Sequence, residues 1–330
     1  MKKIAVIGAG SWGTALAVTA AAKGHAVKIW GRNKRQMESM RETGENKRYL
    51  PGVKLPPLLR PVDEAQKAVH HADLVLFSVP AQAFRSSYTA LAPILTAGQV
   101  IVNVAKGIEK GTLLRMSEVA EQVAPEAGYV VLSGPSHAEE VGKRLPTTVT
   151  VGSRRQELAA YVQDVFITDK FRVYTSDDVT GMELGGSLKN IIALGAGISD
   201  GMGYGDNAKA ALMTRGLAEM NRLAVRLGAR QETLSGLAGV GDLIVTCTSM
   251  HSRNRRCGIM IGQGVPVKNA VEKVGMVVEG ISTTEAAHDL AVREHVEMPI
   301  TEAIYRILCG EISAAEAEPL LMGRKPKPER

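Results

Sequence analysis

Three glycines near the amino end constrain this chain more than any other feature. Gly8, Gly10 and Gly13 form a GxGxxG spacing. Ile4-Ala5-Val6-Ile7 precedes them as a short apolar run, and residues 14–23 follow, rich in Ala and free of Pro. The pattern therefore falls between a strand and a helix, the context in which it signals dinucleotide binding. Gly8 allows a tight turn, Gly10 lets backbone N–H groups approach a pyrophosphate, and Gly13 lets the helix pack on the strand. The helix N-terminus adds unpaired N–H groups and the positive end of a dipole. The alternatives are a plain glycine-rich turn and a secretory leader. Met1-Lys2-Lys3 and Ala20-Ala21-Ala22 mimic a leader, but three glycines and Trp12 break its apolar run.

Apolar runs at residues 26–30, 73–79, 99–104 and 129–132 read as strands buried on both faces. Helical patterns such as residues 112–123 lie between them, and the alternation means a doubly wound parallel sheet. Residues 147–151 and 171–174 extend it. Beyond about residue 178 the texture becomes all-helical, with helices expected at 179–198, 207–227, 283–293 and 301–308. The expected division is a nucleotide-binding domain at 1–178, a helical substrate domain at 179–322, and a disordered basic tail at 323–330. Substrate is expected in the cleft between the two domains.

Composition narrows the class. At 330 residues, two domains are the natural expectation. Aromatics are only 4%, too few for base-stacking platforms, so the net charge of +6 is read as favouring small anions rather than nucleic acid. No apolar run reaches the roughly 18 residues of a membrane span. Three cysteines, Cys247, Cys257 and Cys309, have no metal-site spacing and an odd count. Cys247 and Cys257 read as small buried residues. A cytoplasmic protein follows.

The cofactor can be read from the end of the second strand. NAD-selective sites place a carboxylate there for the ribose 2′-OH. Here the chain runs Trp30-Gly31-Arg32-Asn33-Lys34-Arg35. Arg32 suits a 2′-phosphate, so NADP(H) is preferred and NAD(H) tolerated.

Other segments carry candidate chemistry. Lys106 directly follows a strand, at the carboxyl edge where ligands bind in open sheets. Gly134-Pro135-Ser136-His137-Ala138 holds a similar place after the next strand. Lys189 interrupts a largely apolar helix, where a charge is costly unless paired or used; snorkelling to the surface is the alternative. Asp242 sits in a glycine-rich turn, and Ser252-Arg253-Asn254 offers a guanidinium fork for phosphate.

These motifs, in order, resemble the bacterial biosynthetic NAD(P)-dependent glycerol-3-phosphate dehydrogenases along essentially the whole chain. The matching runs are GAGSWG, NVAKGIE at 103–109, LSGPS at 132–136, GSLKNIIALGAGISDG at 186–201, NAKAAL at 207–212, GVGDL at 239–243 and SRN at 252–254. The resemblance implies a Rossmann-type sheet joined to a helical domain like the C-terminal part of 6-phosphogluconate dehydrogenase. It implies reduction of dihydroxyacetone phosphate at C2 to sn-glycerol 3-phosphate, for phospholipid synthesis, by a homodimer. By the same resemblance Lys189 is the catalytic lysine, Lys106 a second lysine near cofactor and substrate, and Asp242 the supporting acid. Gly134, Ser136, Ser252, Arg253 and Asn254 become substrate contacts. Ser11, Trp12, Arg32, Lys106, Ala138, Arg253, Val277 and Glu279 become cofactor contacts beside the three glycines. Trp12 departs from the pattern, where a smaller aromatic residue is often expected. The rival readings are a β-hydroxyacid dehydrogenase or ketopantoate-type reductase of the same architecture, and a non-catalytic NADP-binding sensor.

Overall fold

The computed structural model describes residues 1–96, 98–326 and 328. Its strands are β1 (Lys3–Ile7), β2 (Ala26–Trp30), β3 (Leu59–Val62), β4 (Leu74–Phe77), β5 (Val100–Asn103), β6 (Gly128–Ser133), β7 (Thr147–Gly152) and β8 (Phe171–Ser176). They form one sheet in the order β3-β2-β1-β4-β5-β6-β7-β8. The order reverses between β1 and β4, and the carboxyl ends of those two strands flank the crevice where open α/β sheets bind ligands.

Two details differ from a uniformly parallel sheet read from sequence. β6 and β7 pair antiparallel, Val131 facing Gly152. β3 was not expected at all, because its Leu-Arg-Pro-Val run contains a proline. It lies at the sheet edge, where a strand tolerates a residue that cannot donate to the ladder. The helix expected from residue 112 begins only at Met116, because an isolated bridge joins Ile108 to Arg115, and Gly111 and Leu113 take positive φ of 78° and 59° between them.

Gly8 marks the reversal point. Its φ is +115°, and a Cβ there would lie 2.2 Å from the Ser78 carbonyl oxygen after β4. A Cβ on Gly13 would lie 2.1 Å from the Gly8 oxygen. Leu16, Ile29, Leu76, Val102 and Val130 pack on one face of the sheet, and Phe77, Phe84 and Tyr88 on the other.

The helical region is built around one helix, Val179–Gly201, buried along nearly its whole length. A helix apolar on every side belongs inside a protein, and Leu184, Leu188, Ile191, Ile192 and Leu194 centre this second core. Helix Arg253–Gly262 lies against it with backbones touching. Cβ atoms on Gly197 and Gly201 would fall 2.1 and 2.2 Å from the carbonyl oxygens of Arg255 and Ile259. Those on Gly258 and Gly262 would fall 2.1 and 2.2 Å from the oxygens of Leu194 and Ile198. Four glycines thus fix how closely the Arg253 helix approaches the Lys189 helix.

The last helix is Ala314–Met322. In the segment expected as a tail, Gly323 caps that helix and Arg324 reaches Glu297 at 3.2 Å. Lys327, Glu329 and Arg330 lie outside the described residues.

Candidate active site

At the carboxyl edge, helix Ser11–Ala22 starts from Gly10 with no side-chain cap. Its first N–H groups have no partners within the helix and face outward, as every helix start must. A Cβ on Gly10 would meet nothing within 4 Å, so the cradle above the turn is open. Ser11 and Trp12 form its first turn. The Trp12 indole Nε1 is buried without a partner. Arg32 follows β2 beside this cradle, exposed, and the Gly8 N–H donates to the Trp30 oxygen at 2.8 Å.

The helical region closes the cradle from the other side. Glu279 begins helix Glu279–Arg293 and accepts at Oε1 from the Ala81 N–H at 3.2 Å. Its Oε2 is buried without a partner, and burial raises its pKa above the ordinary carboxylate value. The exposed Val277 accepts at its carbonyl from Arg253 Nη1 at 3.0 Å. Ala138, buried, opens the short helix Ala138–Gly142. The open cradle, the unpartnered Trp12 indole and the unpartnered Glu279 oxygen fit a dinucleotide laid across this edge.

Charge concentrates at the inner end of the cleft. Lys189 Nζ donates to Asp242 Oδ1 and to Thr246 Oγ1, each at 2.6 Å. Lys106 Nζ donates to the other oxygen, Asp242 Oδ2, at 2.6 Å and to the Gly134 carbonyl at 3.1 Å. The Lys189 side chain is 7% exposed, that of Asp242 2%, and that of Lys106 18%. Lys189 therefore does not snorkel; it is paired within the fold. Burial is the main influence on it and lowers its pKa to about 8, with Asp242 raising it and Lys106 lowering it. Burial disfavours the Asp242 anion, but both lysines together hold its pKa below the ordinary value. With both lysines protonated the triad carries a net positive charge, suited to an anion in the cleft.

Asp242 does not sit in a turn. A single π-helical turn, Leu237–Gly241, delivers it as the first residue of helix Asp242–Thr248. That places Thr246 one turn further on the same face, and its hydroxyl also bonds the Asp242 carbonyl at 2.6 Å.

Around this triad lie the remaining contacts. Gly134 takes φ +135°, and a Cβ there would crowd Val149 Cα at 3.1 Å. Ser136 Oγ bonds the Gly134 oxygen at 2.9 Å. Ser252 caps helix Arg253–Gly262, accepting from the Arg255 N–H at 3.2 Å, which leaves its O–H free to donate. Asn254 is buried; it donates to Asn190 Oδ1 at 2.9 Å and accepts from the Gly280 N–H at 2.8 Å. Thr246 and Asn190 join the site although sequence reading gave them no role. Their signals were Thr246 four residues after Asp242, and Asn190 as the second polar interruption of the apolar helix.

A mostly parallel sheet with a reversal in strand order, a glycine cradle at its switch point and a buried lysine–carboxylate–lysine triad define a nucleotide-linked dehydrogenase of the sheet-plus-helical-domain class. The family models for the N-terminal and C-terminal parts of NAD-dependent glycerol-3-phosphate dehydrogenase match residues 3–159 and 178–318. A relative named glycerol-3-phosphate dehydrogenase [NAD(P)+] from Moorella thermoacetica is 55% identical over 307 residues, 93% of this chain and 91% of that protein. One of the same name from Pelotomaculum thermopropionicum is 54% identical, covering 98% and 93%. The crystal structure of glycerol-3-phosphate dehydrogenase from Coxiella burnetii superposes with a TM-score of 0.95 at 41% identity, covering 98% of this chain and 99% of that one. The chain belongs to the NAD-dependent glycerol-3-phosphate dehydrogenase family. Among the described residues no single helix is long and apolar enough to cross a membrane, and no group of three potential ligands could hold a metal ion.

Proposed function

We propose that this protein reduces dihydroxyacetone phosphate to sn-glycerol 3-phosphate, reversibly, and so feeds glycerophospholipid synthesis. The observation that carries the reading is the single carboxylate, Asp242, holding Lys189 and Lys106 on its two oxygens. When bound, the reduced nicotinamide supplies the hydride. As negative charge grows on the substrate's C2 oxygen, Lys189 stabilises it and gives up a proton. Lys106 adds a second positive charge next to the same acid. Asp242 keeps both ammonium groups aimed, and Thr246 fixes the Lys189 amine from a second direction. The substrate phosphate is assigned to Arg253 and Asn254, with Ser252, which also caps their helix, beside them, while Gly134 and Ser136 are further substrate contacts.

For the cofactor, Gly8, Gly10 and Gly13 with Ser11 and Trp12 hold the pyrophosphate end, and Glu279, Val277, Ala138, Arg253 and Lys106 close over the rest. Arg32 just after β2, in a run (residues 30–35) that contains no carboxylate, favours NADP(H) over NAD(H), which is still accepted. The division into a nucleotide domain at 1–178 and a substrate domain at 179–322, a cytoplasmic location and a homodimeric assembly belong to the same proposal. The test is oxidation of NADPH and of NADH by the purified protein with dihydroxyacetone phosphate. Faster turnover with NADPH supports the assignment of Arg32. Oxidation of neither cofactor, by protein shown to bind NADPH, overturns the substrate.

A further inference from the structure

One side chain between the assigned substrate and cofactor residues has a geometry that the reaction scheme leaves unused. His137 stands between Ser136 and Ala138 and is only partly exposed. Its Nε2 lies 3.3 Å from the carbonyl oxygen of Val245, in helix Asp242–Thr248. A carbonyl only accepts, so Nε2 carries the proton and Nδ1 is the bare nitrogen of the neutral ring. Val245 lies three residues beyond Asp242 and next to Thr246. The same ring sits 5.6 Å, centroid to centroid, from His251, in the loop that leads into Ser252 and Arg253.

The helix that carries the acid is thus gripped twice from the sheet side. Lys106 holds its first residue through Asp242 at 2.6 Å, and His137 holds its middle through the Val245 carbonyl. Lys189 ties Asp242 and Thr246 to the helical side, each at 2.6 Å. The Lys106 and His137 contacts tie the same helix to the sheet side, and the His137 contact, on the backbone between those two residues, helps set the directions of the Asp242 carboxylate and the Thr246 hydroxyl. The ring also meets the loop before the phosphate residues, so His137 links its own segment to two others that must stay in register.

We propose that His137 is a positioning residue: it locks the Asp242–Thr246 helix and the His251–Arg253 loop against the Gly134–Ser136 wall, and so sets the environment of Lys189. The inference rests on the reaction proposed above. The charged groups that influence the His137 ring are Lys189, Glu139 and Glu140; burial, the dominant influence, together with Lys189 favours its neutral form.

The experiment compares wild type, His137→Phe and His137→Gln with dihydroxyacetone phosphate and NADPH. Phenylalanine keeps the ring and removes the donor; glutamine keeps a donor. In His137→Phe, kcat falls by about tenfold, the scale of one lost hydrogen bond at a site that needs its geometry. The alkaline limb of its pH profile moves relative to wild type, while the Kd for NADPH, read by fluorescence titration, stays unchanged. His137→Gln recovers most of kcat and the wild-type limb. An unshifted limb with wild-type kcat in His137→Phe overturns the proposal. So does an equal loss in both variants accompanied by lower Tm and weaker NADPH binding, since that pattern reports folding alone. If wild type itself fails to reduce dihydroxyacetone phosphate, the reading of the reaction has failed, and this outcome is separate from the behaviour of the variants.

Discussion

Lys189 and Asp242 meet at 2.6 Å in the interior of the protein, and the second oxygen of Asp242 is equally close to Lys106. Two ammonium groups share one carboxylate. Removing charge from the shared partner leaves both lysines buried with only neutral hydrogen-bond acceptors, the situation in which breaking a buried pair costs about 3–5 kcal/mol. Asp242→Asn is therefore expected to lower stability in a denaturant titration and to lower kcat. It also removes the attraction that raises the Lys189 pKa, so the alkaline limb of the reduction moves to lower pH. A variant with wild-type stability and an unmoved limb would contradict the shared-carboxylate arrangement.

The pH dependence follows from the direction of that shift. Burial favours neutral Lys189 and brings its pKa down to about 8. Reduction needs the protonated amine, so its rate falls as pH rises through about 8. Oxidation of glycerol 3-phosphate needs the neutral amine, so its rate rises over the same interval. Initial rates in both directions from pH 6 to 10 (roughly two units either side of the shifted value) check this. Parallel profiles in the two directions would exclude Lys189 as the proton carrier.

Much of this was legible in the sequence. The glycine spacing, the apolar strands and the change to helical texture give the sheet, the cradle and the helical region. Lys189 was visible because a charge inside an apolar helix needs a use. The parts that were not legible depend on contacts between distant segments. Nothing local reveals that Lys106 and Lys189 converge on Asp242, 136 and 53 residues further along the chain. The π-helical segment before Asp242 hid behind glycines that read as a plain turn. β3 hid because its proline argues against a strand except at an edge. Glu183 was equally silent: it is buried, and it accepts from Arg115, Ser117 and Tyr129, anchoring the base of the central helix.

Arg253 is the proposed phosphate contact, and its Nη1 donates to a backbone carbonyl, that of Val277, at 3.0 Å. Arg253→Ala is expected to raise the KM for dihydroxyacetone phosphate by an amount equivalent to about 1.5–3 kcal/mol, the worth of charged hydrogen bonds. Steady-state kinetics at saturating NADPH read this directly. An unchanged KM removes Arg253 from the phosphate site.

The glycine contacts between the Lys189 and Arg253 helices predict a cost in stability. A methyl group on Gly262 must displace the backbone at Ile198, whose oxygen it would approach to 2.2 Å. Backbone cannot yield as a flexible side chain does, so Gly262→Ala is expected to destabilise by about 3 kcal/mol or more. Gly264→Ala, two residues on, meets nothing within 4 Å but carries φ +86°, and is expected to cost about 1 kcal/mol from the left-handed backbone alone. Thermal unfolding of the two variants should separate them; equal Tm values would contradict the close helix packing.

The central claim is that a lysine held by Asp242 carries the proton in ketone reduction. Its most direct test is Lys189→Ala, with turnover of dihydroxyacetone phosphate and NADPH affinity measured on the same preparation. The expected result is a kcat reduced by about 10²–10⁴-fold, the usual contribution of a positioned acid, with NADPH bound as tightly as by wild type. A variant that turns over at close to the wild-type rate would contradict it.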